Sequence, residues 1–346
     1  MPNTKNVFYV HWDSIRLSLC LYLLLIVSCK KKITEQVSAE QYSIQNVSIL
    51  KSNTSVQLIG ANTFHVFGGG SADMNSWNLD VAREFAGNMK ESPVTGSVIK
   101  DANSVYLYSL QNIVDSNRAN KRITILCPFG WDGTAATVFT GKMPAQTFWW
   151  TDFKTKLQQW AVQFKNQPDV WLEVWNEPYR YDRGDGYTDD IWMNDMNELV
   201  NIIRNTGNNN IILVPCAEQG QDESVLINKG NLFLAGKKNI LFDIHAYEKW
   251  LLVPDTVMGN RLKQLKFNNL PVFFGETAPL NSGVLMNPQP LLDSIYAKGL
   301  SVCAWVWKYD STDTDALLDA NGFANNNGNN NWGTAFKSLA LKVRKP

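Results

Sequence analysis

Net charge is the first thing this chain lacks. Its 32 basic and 32 acidic side chains cancel, so no electrostatic field favours nucleic acid or an anionic membrane surface as a partner. Histidine is scarce, with three in 346 residues. None stands in His-x-x-x-His spacing, which removes the usual zinc-hydrolase signature. A Gly-x-Ser-x-Gly elbow and a Gly-Lys-Ser/Thr phosphate loop are also missing, so neither serine-esterase nor P-loop chemistry is indicated. No metal and no cofactor are expected. Cys20 and Cys29 fall near the start, and Cys127, Cys216 and Cys303 each sit inside an apolar, strand-like run. An odd number in such settings argues for buried free thiols rather than a disulfide framework.

Long hydrophobic runs are missing too, apart from Leu17 to Cys29, which follows Lys5 and Arg16. That run is too short for a comfortable membrane span and reads as a signal peptide. Ile26-Val-Ser-Cys29 resembles a bacterial lipobox, in which Cys29 becomes the lipidated first residue; an ordinary secretory cleavage site is the alternative. Residues 1–28 are therefore read as a lipoprotein-type signal peptide and residues 29–52, polar and without sustained period, as a tether. Residues 53–346 are read as one catalytic domain. The expected location is across the inner membrane, lipid-anchored at the bacterial outer membrane or cell surface.

Aromatic side chains are abundant. Thirteen Trp and 11 Tyr exceed what core packing usually requires, and aromatic faces are what a protein offers to the C–H faces of sugar rings.

From Val56 onward, short β-like runs alternate with helical stretches. The strand candidates are Val56–Asn62, Leu79–Phe85, Arg122–Pro128, Trp171–Pro178, Asn210–Pro215, Ile240–Tyr247, Leu270–Glu276 and Leu300–Trp307. Helical periodicity marks Tyr106–Asn120, Phe153–Phe164, Asp190–Arg204, Arg261–Phe267, Leu291–Lys298 and Thr334–Val343. Eight such units imply a parallel sheet closed into a (β/α)8 TIM barrel. The first unit is cramped, with room only for a short helix between Gly68 and Asn78.

Catalytic side chains of such barrels sit at the carboxyl ends of strands. Those ends carry Arg83, Phe129, Trp131, Asn176, Glu177, Glu218, Gln219, His245, Tyr247, Glu276, Trp305 and Trp307. Alternation places Trp171, Glu173, Trp175 and Glu177 on one face of the fourth strand and Leu172, Val174 and Asn176 on the other. Glu177 and Glu276 come from strands four and seven, which face each other across a barrel. Two opposed carboxylates are what glycoside hydrolysis needs: one protonates the leaving oxygen, and the other attacks the anomeric carbon or activates water. Glu173, two steps deeper, suits an ion pair with Arg83.

Trp175-Asn-Glu-Pro178, Phe274-Gly-Glu276 and His245-Ala-Tyr247 between them resemble glycoside hydrolase family 5, the cellulase-like family of clan A. The resemblance runs from about Val56 to Gly333. It implies a retaining mechanism with Glu177 as acid/base and Glu276 as nucleophile. Asn176 would bind the sugar 2-hydroxyl, Tyr247 and Arg83 would keep Glu276 ionised, and His245 would contact the sugar or the acid/base. Trp305 or Trp307 would form the platform under the sugar. Where the family often has a histidine after strand three, this chain has Leu126-Cys-Pro-Phe-Gly-Trp131, so Phe129 or Trp131 would replace that contact by stacking. His65 could return an imidazole, although a structural role suits it better. The implied substrate is a β-linked polysaccharide or oligosaccharide, β-1,4-glucan first and β-mannan second. A non-catalytic surface glycan-binding lipoprotein and a transglycosylase are the alternatives.

Overall fold

The computed structural model describes residues 41–65, 71–87, 89, 99–100, 106–107, 109–308, 315–326 and 331–343. The expected signal peptide and Cys29 lie outside the described residues.

Eight parallel strands close on themselves: Ile59–Thr63, Val81–Ala86, Ile123–Pro128, Val170–Glu173, Ile212–Pro215, Ile240–Ala246, Val272–Thr277 and Ser301–Ala304, with the last pairing to the first. The chain is thus the (β/α)8 barrel that the alternation of runs implies. Helices Leu110–Ala119, Trp150–Phe164, Asp189–Arg204, Ser224–Leu234, Asp255–Phe267, Gln289–Lys298 and Trp332–Lys342 surround it. Each turns an apolar stripe inward, as Phe153, Leu157, Trp160, Ala161 and Phe164 do. Among the described residues the first unit has a 3-10 turn, Ala72–Trp77, in place of a longer helix. Helix starts follow local capping: Ser109 Oγ accepts the Asn112 N–H, and Thr188 Oγ1 that of Ile191. The helix expected from Tyr106 accordingly begins at Leu110, and Tyr106–Leu107 instead pair with Ile99–Lys100.

Two expectations are corrected. The segment read as a tether to residue 52 is partly folded. Tyr42–Gln45, Ser48–Lys51 and Thr54–Val56 form a three-stranded antiparallel sheet. Ile49 and Val56 are buried in one cluster with Val81, Ile125, Trp171 and Leu213 at the amino-terminal end of the barrel. Polar residues between Ile44, Ile49 and Val56 mask the period, because one face of the small sheet stays in solvent. Val56 therefore belongs to this sheet, and the first barrel strand starts at Ile59.

The second correction concerns the fourth strand. Trp171 points inward, but Leu172, Val174 and Trp175 all join the outer core. The strand ends at Glu173, so alternation no longer governs the residues beyond it. Asn176 thereby reaches the mouth instead of the outer face, and Glu177 takes a positive φ of 49°.

Candidate active site

The carboxyl-terminal mouth holds a cavity of about 280 Å³ lined by Phe129, Asn176, Glu177, Tyr247, Glu276 and Trp305, with the turn after strand seven (Leu280–Gly283) as one wall. A larger cavity of about 400 Å³ lies between the last two helices. Among the described residues Asp293 is the only acidic group lining it, so the carboxylate pair belongs to the smaller one.

Beneath the mouth Arg83 organises the site. Its side chain is fully buried. Nε and Nη2 donate to the two Glu173 oxygens at 2.7 Å each, in the planar fork geometry of a guanidinium–carboxylate pair. Nη1 donates to Glu276 Oε1 at 2.6 Å and Asn62 Oδ1 at 2.8 Å, and Nη2 to Asn176 Oδ1 at 2.9 Å. Asn62 in turn donates to the carbonyls of Gly275 and Ala304. One guanidinium thus ties strands one, two, four and seven together. The Arg83–Glu173 pair anticipated from alternation is present.

Glu276 receives the Tyr247 hydroxyl at 2.8 Å. His245 Nδ1 lies 2.9 Å from Glu177 Oε1 and 3.6 Å from Glu276 Oε1. One oxygen of each glutamate and a ring nitrogen of His245 all fall within 4.8 Å of one another. Burial pushes the Glu276 carboxyl above the usual carboxylate value, against the pull of His245, Arg83 and the Tyr247 hydroxyl. Arg83 and Tyr247 do favour the ionised form, as anticipated, but they only limit a rise that desolvation causes. Glu173 is likewise pushed up by burial, to about 7. Burial opposes the charge on His245, but Glu276, Asp243 and Glu177 outweigh it and raise the imidazole well above 6.5.

The remaining expected residues divide. Asn176 lines the cavity and donates to Thr140 Oγ1 at 3.1 Å. Trp305 is half-buried at the mouth, packed edge-on against Phe64 and Phe85. Trp307 does not belong to the site: it is 2% exposed and packs T-shaped on Trp77 in the outer core. The strand has ended at Ala304, so the two tryptophans do not share a face. Trp131 stacks on Trp149 and does not line the cavity; Phe129 takes that place. His65 is sequestered by Glu84 at 2.6 Å, behind strand two. Glu218 is bound by Arg183, Lys249 and the Tyr187 hydroxyl, which makes it a tie between loops.

Sequence reasoning missed Asn62, Thr140 and Asp243. The signal for Asp243 was present, because it precedes His245 by two on an inward-facing strand. Asn62 and Thr140 carry no pattern that separates them from ordinary strand-end polar residues.

A closed (β/α)8 barrel whose fourth and seventh strands bring two glutamates to one mouth defines the clan of barrel glycosidases. The chain belongs to the cellulase family, glycosyl hydrolase family 5, whose sequence model matches residues 71–311. It is similar to a mannan endo-1,4-beta-mannosidase of Cellvibrio japonicus, with 28% identity over 151 residues; the match covers 43% of this chain but only 34% of that relative's length. Among solved structures it resembles the catalytic domain of a mannanase from Streptomyces sp. SirexAA-E (17% identity, 91% of this chain and 96% of that one, TM-score 0.67). It also resembles a beta-mannanase from Thermomonospora fusca (16% identity, 88% and 98%, TM-score 0.67).

Proposed function

We propose that the protein is a retaining glycoside hydrolase acting within β-linked polysaccharide, with Glu276 as nucleophile and Glu177 as acid/base. One observation carries this reading: an oxygen of Glu177 and one of Glu276 lie within 4.8 Å of each other. Retention needs carboxyl groups about 5–5.5 Å apart, whereas inversion needs roughly 6.5–9.5 Å to admit a water. Glu276 attacks the anomeric carbon while Glu177 protonates the departing glycosidic oxygen. Water then enters, gives a proton to Glu177 and displaces Glu276. Glu276 suits the nucleophile because Arg83 and Tyr247 hold its oxygens. Glu177 suits the acid/base because its side chain is 16% exposed, open to the leaving group and to water.

The resemblance to the cellulase-like family put β-1,4-glucan ahead of mannan. The relative named an endo-1,4-beta-mannosidase supports β-1,4-mannan as the first substrate to offer. Trp305 would supply the platform for the sugar at the cleavage point. The test is product release from mannan, glucan and xylan, with the anomer of the first product read by NMR. Glu177→Gln should lower kcat by about 10²–10⁴-fold, and Glu276→Gln should abolish formation of the retained product. Activity surviving Glu276→Gln, or an inverted first product, refutes the assignment. Binding without cleavage points to a glycan-binding protein, and elongated products with added acceptor sugar mark transglycosylation. Lipid anchoring through Cys29 at the cell surface is proposed with it, supported by Ile26-Val-Ser-Cys29. Radiolabelled palmitate should enter the protein and be lost in Cys29→Ser.

A further inference from the structure

Asp243 lies under the site and takes no part in either step of the hydrolysis. Its strand alternates cleanly: Leu241 joins the interior cluster, while Ile240, Phe242, Ile244 and Ala246 join the outer core, which leaves Asp243 and His245 inside the barrel. Asp243 is completely buried. Its Oδ2 lies 3.3 Å from His245 Nε2, and among the described residues Oδ1 has no hydrogen-bond partner. The nearest alternative cation, Arg83 Nη2, is 3.8 Å away.

Donor counting decides how His245 is oriented. Its Nε2 is 3.3 Å from both Asp243 Oδ2 and Arg83 Nη2. A guanidinium only donates and a carboxylate only accepts, so Nε2 must either accept from one or donate to the other. The two Nη2 hydrogens already have closer acceptors, Glu173 Oε1 at 2.7 Å and Asn176 Oδ1 at 2.9 Å, with Cys127 Sγ next at 3.2 Å. No hydrogen remains for His245. Nε2 therefore keeps its own proton and donates it to Asp243.

We propose that Asp243 is a positioning residue for catalysis: it fixes the Nε2–H of His245 and balances an imidazolium charge, so that Nδ1–H is presented to Glu177. This rests on the acid/base reading of Glu177. When Glu177 has given up its proton, the imidazolium donates to the resulting carboxylate and holds it for the water step. The other groups facing the ring fit this charge state. Strand two supplies Arg83, committed to Glu173 and Glu276. Strand three supplies the Cys127 thiol, which burial pushes up and so keeps neutral. Strand four adds Glu173, strand seven Glu276, and Tyr247 caps Glu276. The turn after strand five brings Gly220 against the ring: a Cβ there would lie 2.8 Å from His245 Cγ. The pKa of His245, raised well above 6.5, agrees with this geometry.

The same carboxylate explains the glycine before the nucleophile. A Cβ on Gly275 would sit 2.3 Å from both Asp243 oxygens, so side-chain space beside Glu276 is given up to Asp243. A register shift between Ile244 and His245 against strand seven makes that room.

Asp243→Asn keeps the shape and removes the charge. The alkaline limb of kcat should move down by about one pH unit or more, roughly a tenfold loss at alkaline pH beyond any loss at acid pH, with KM little changed. A uniform loss at every pH, with the limb in place, overturns the proposal. A second measurement stands if that variant misfolds and needs no substrate, so it separates this proposal from the hydrolase reading. In 15N-histidine-labelled wild-type protein, with His11→Gln and His65→Gln to assign the rings, His245 should show a protonated Nε2 throughout and a Nδ1 proton that persists above pH 7. A bare Nε2, or a neutral ring at pH 6, overturns it.

Discussion

Arg83→Met tests whether one guanidinium holds the lower site together. The substitution keeps the aliphatic stem and removes the hydrogen bonds donated to Glu173 (two), Glu276, Asn62 and Asn176, and the longer one to Cys127 Sγ. It leaves Glu173, whose side chain is fully buried, without its cation. Breaking a buried ion pair from one side costs about 3–5 kcal/mol, a large share of the roughly 5–15 kcal/mol that stabilises a typical domain. The loss should depend on pH. Glu173 already titrates at about 7 in the folded protein against 4.5 ordinarily. A carboxyl whose folded pKa is raised favours the folded state below its unfolded value, and that contribution is lost as pH rises through the folded one. Without Arg83 the rise is larger, so the deficit should be smaller at pH 5 than at pH 8. Urea unfolding followed by tryptophan fluorescence at the two pH values reads both quantities. Arg83→Lys, which keeps charge but not the fork, should lose less, about 1.5–3 kcal/mol for the charged hydrogen bonds it cannot remake. A methionine variant within about 1 kcal/mol of wild type at both pH values, or one worse in acid than in alkali, would refute this account.

Two further outcomes are expected. Removing residues 41–52 should lower the unfolding midpoint, because Ile49 is buried and Tyr42 packs edge-on against Trp171. Burial of one isoleucine alone is worth about 1.5–3 kcal/mol, and an unchanged midpoint would mean that the small sheet is only a tether after all. His65→Gln should destabilise most between about pH 4.5 and 6.5. The pKa of His65 is raised, since Glu84 outweighs burial, so its contribution is complete below 6.5 and fades as pH rises through the folded value. The pKa of Glu84 is lowered, so its contribution is present above 4.5 and fades in acid. Urea midpoints across pH would show a difference that peaks in that window; a difference independent of pH would dismiss the pair.

The features that the sequence determined by itself obey short-range rules. Alternating apolar runs and amphipathic stretches required eight β/α units, and eight parallel strands close. Asn176-Glu177-Pro178 and Phe274-Gly-Glu276 fell at strand ends, so the carboxylate pair could be named from order alone. Strand boundaries were less legible. Where a strand stops, alternation stops predicting which way a side chain points: Trp175 turned outward, Asn176 turned in, and Trp307 left the site for the core. Only the tertiary structure decided those directions, because they depend on the paths of chain beyond Glu173 and Ala304. It alone also showed that residues 42–51 close the barrel's lower end. Charge states were likewise invisible in the sequence. Whether Glu276 titrates high or low depends on how desolvation balances against Arg83, His245 and Tyr247, contributions from separate strands and loops. The role assigned to Asp243 arises in the same way, from a count of which Arg83 hydrogens are already spent, and that count exists only in three dimensions.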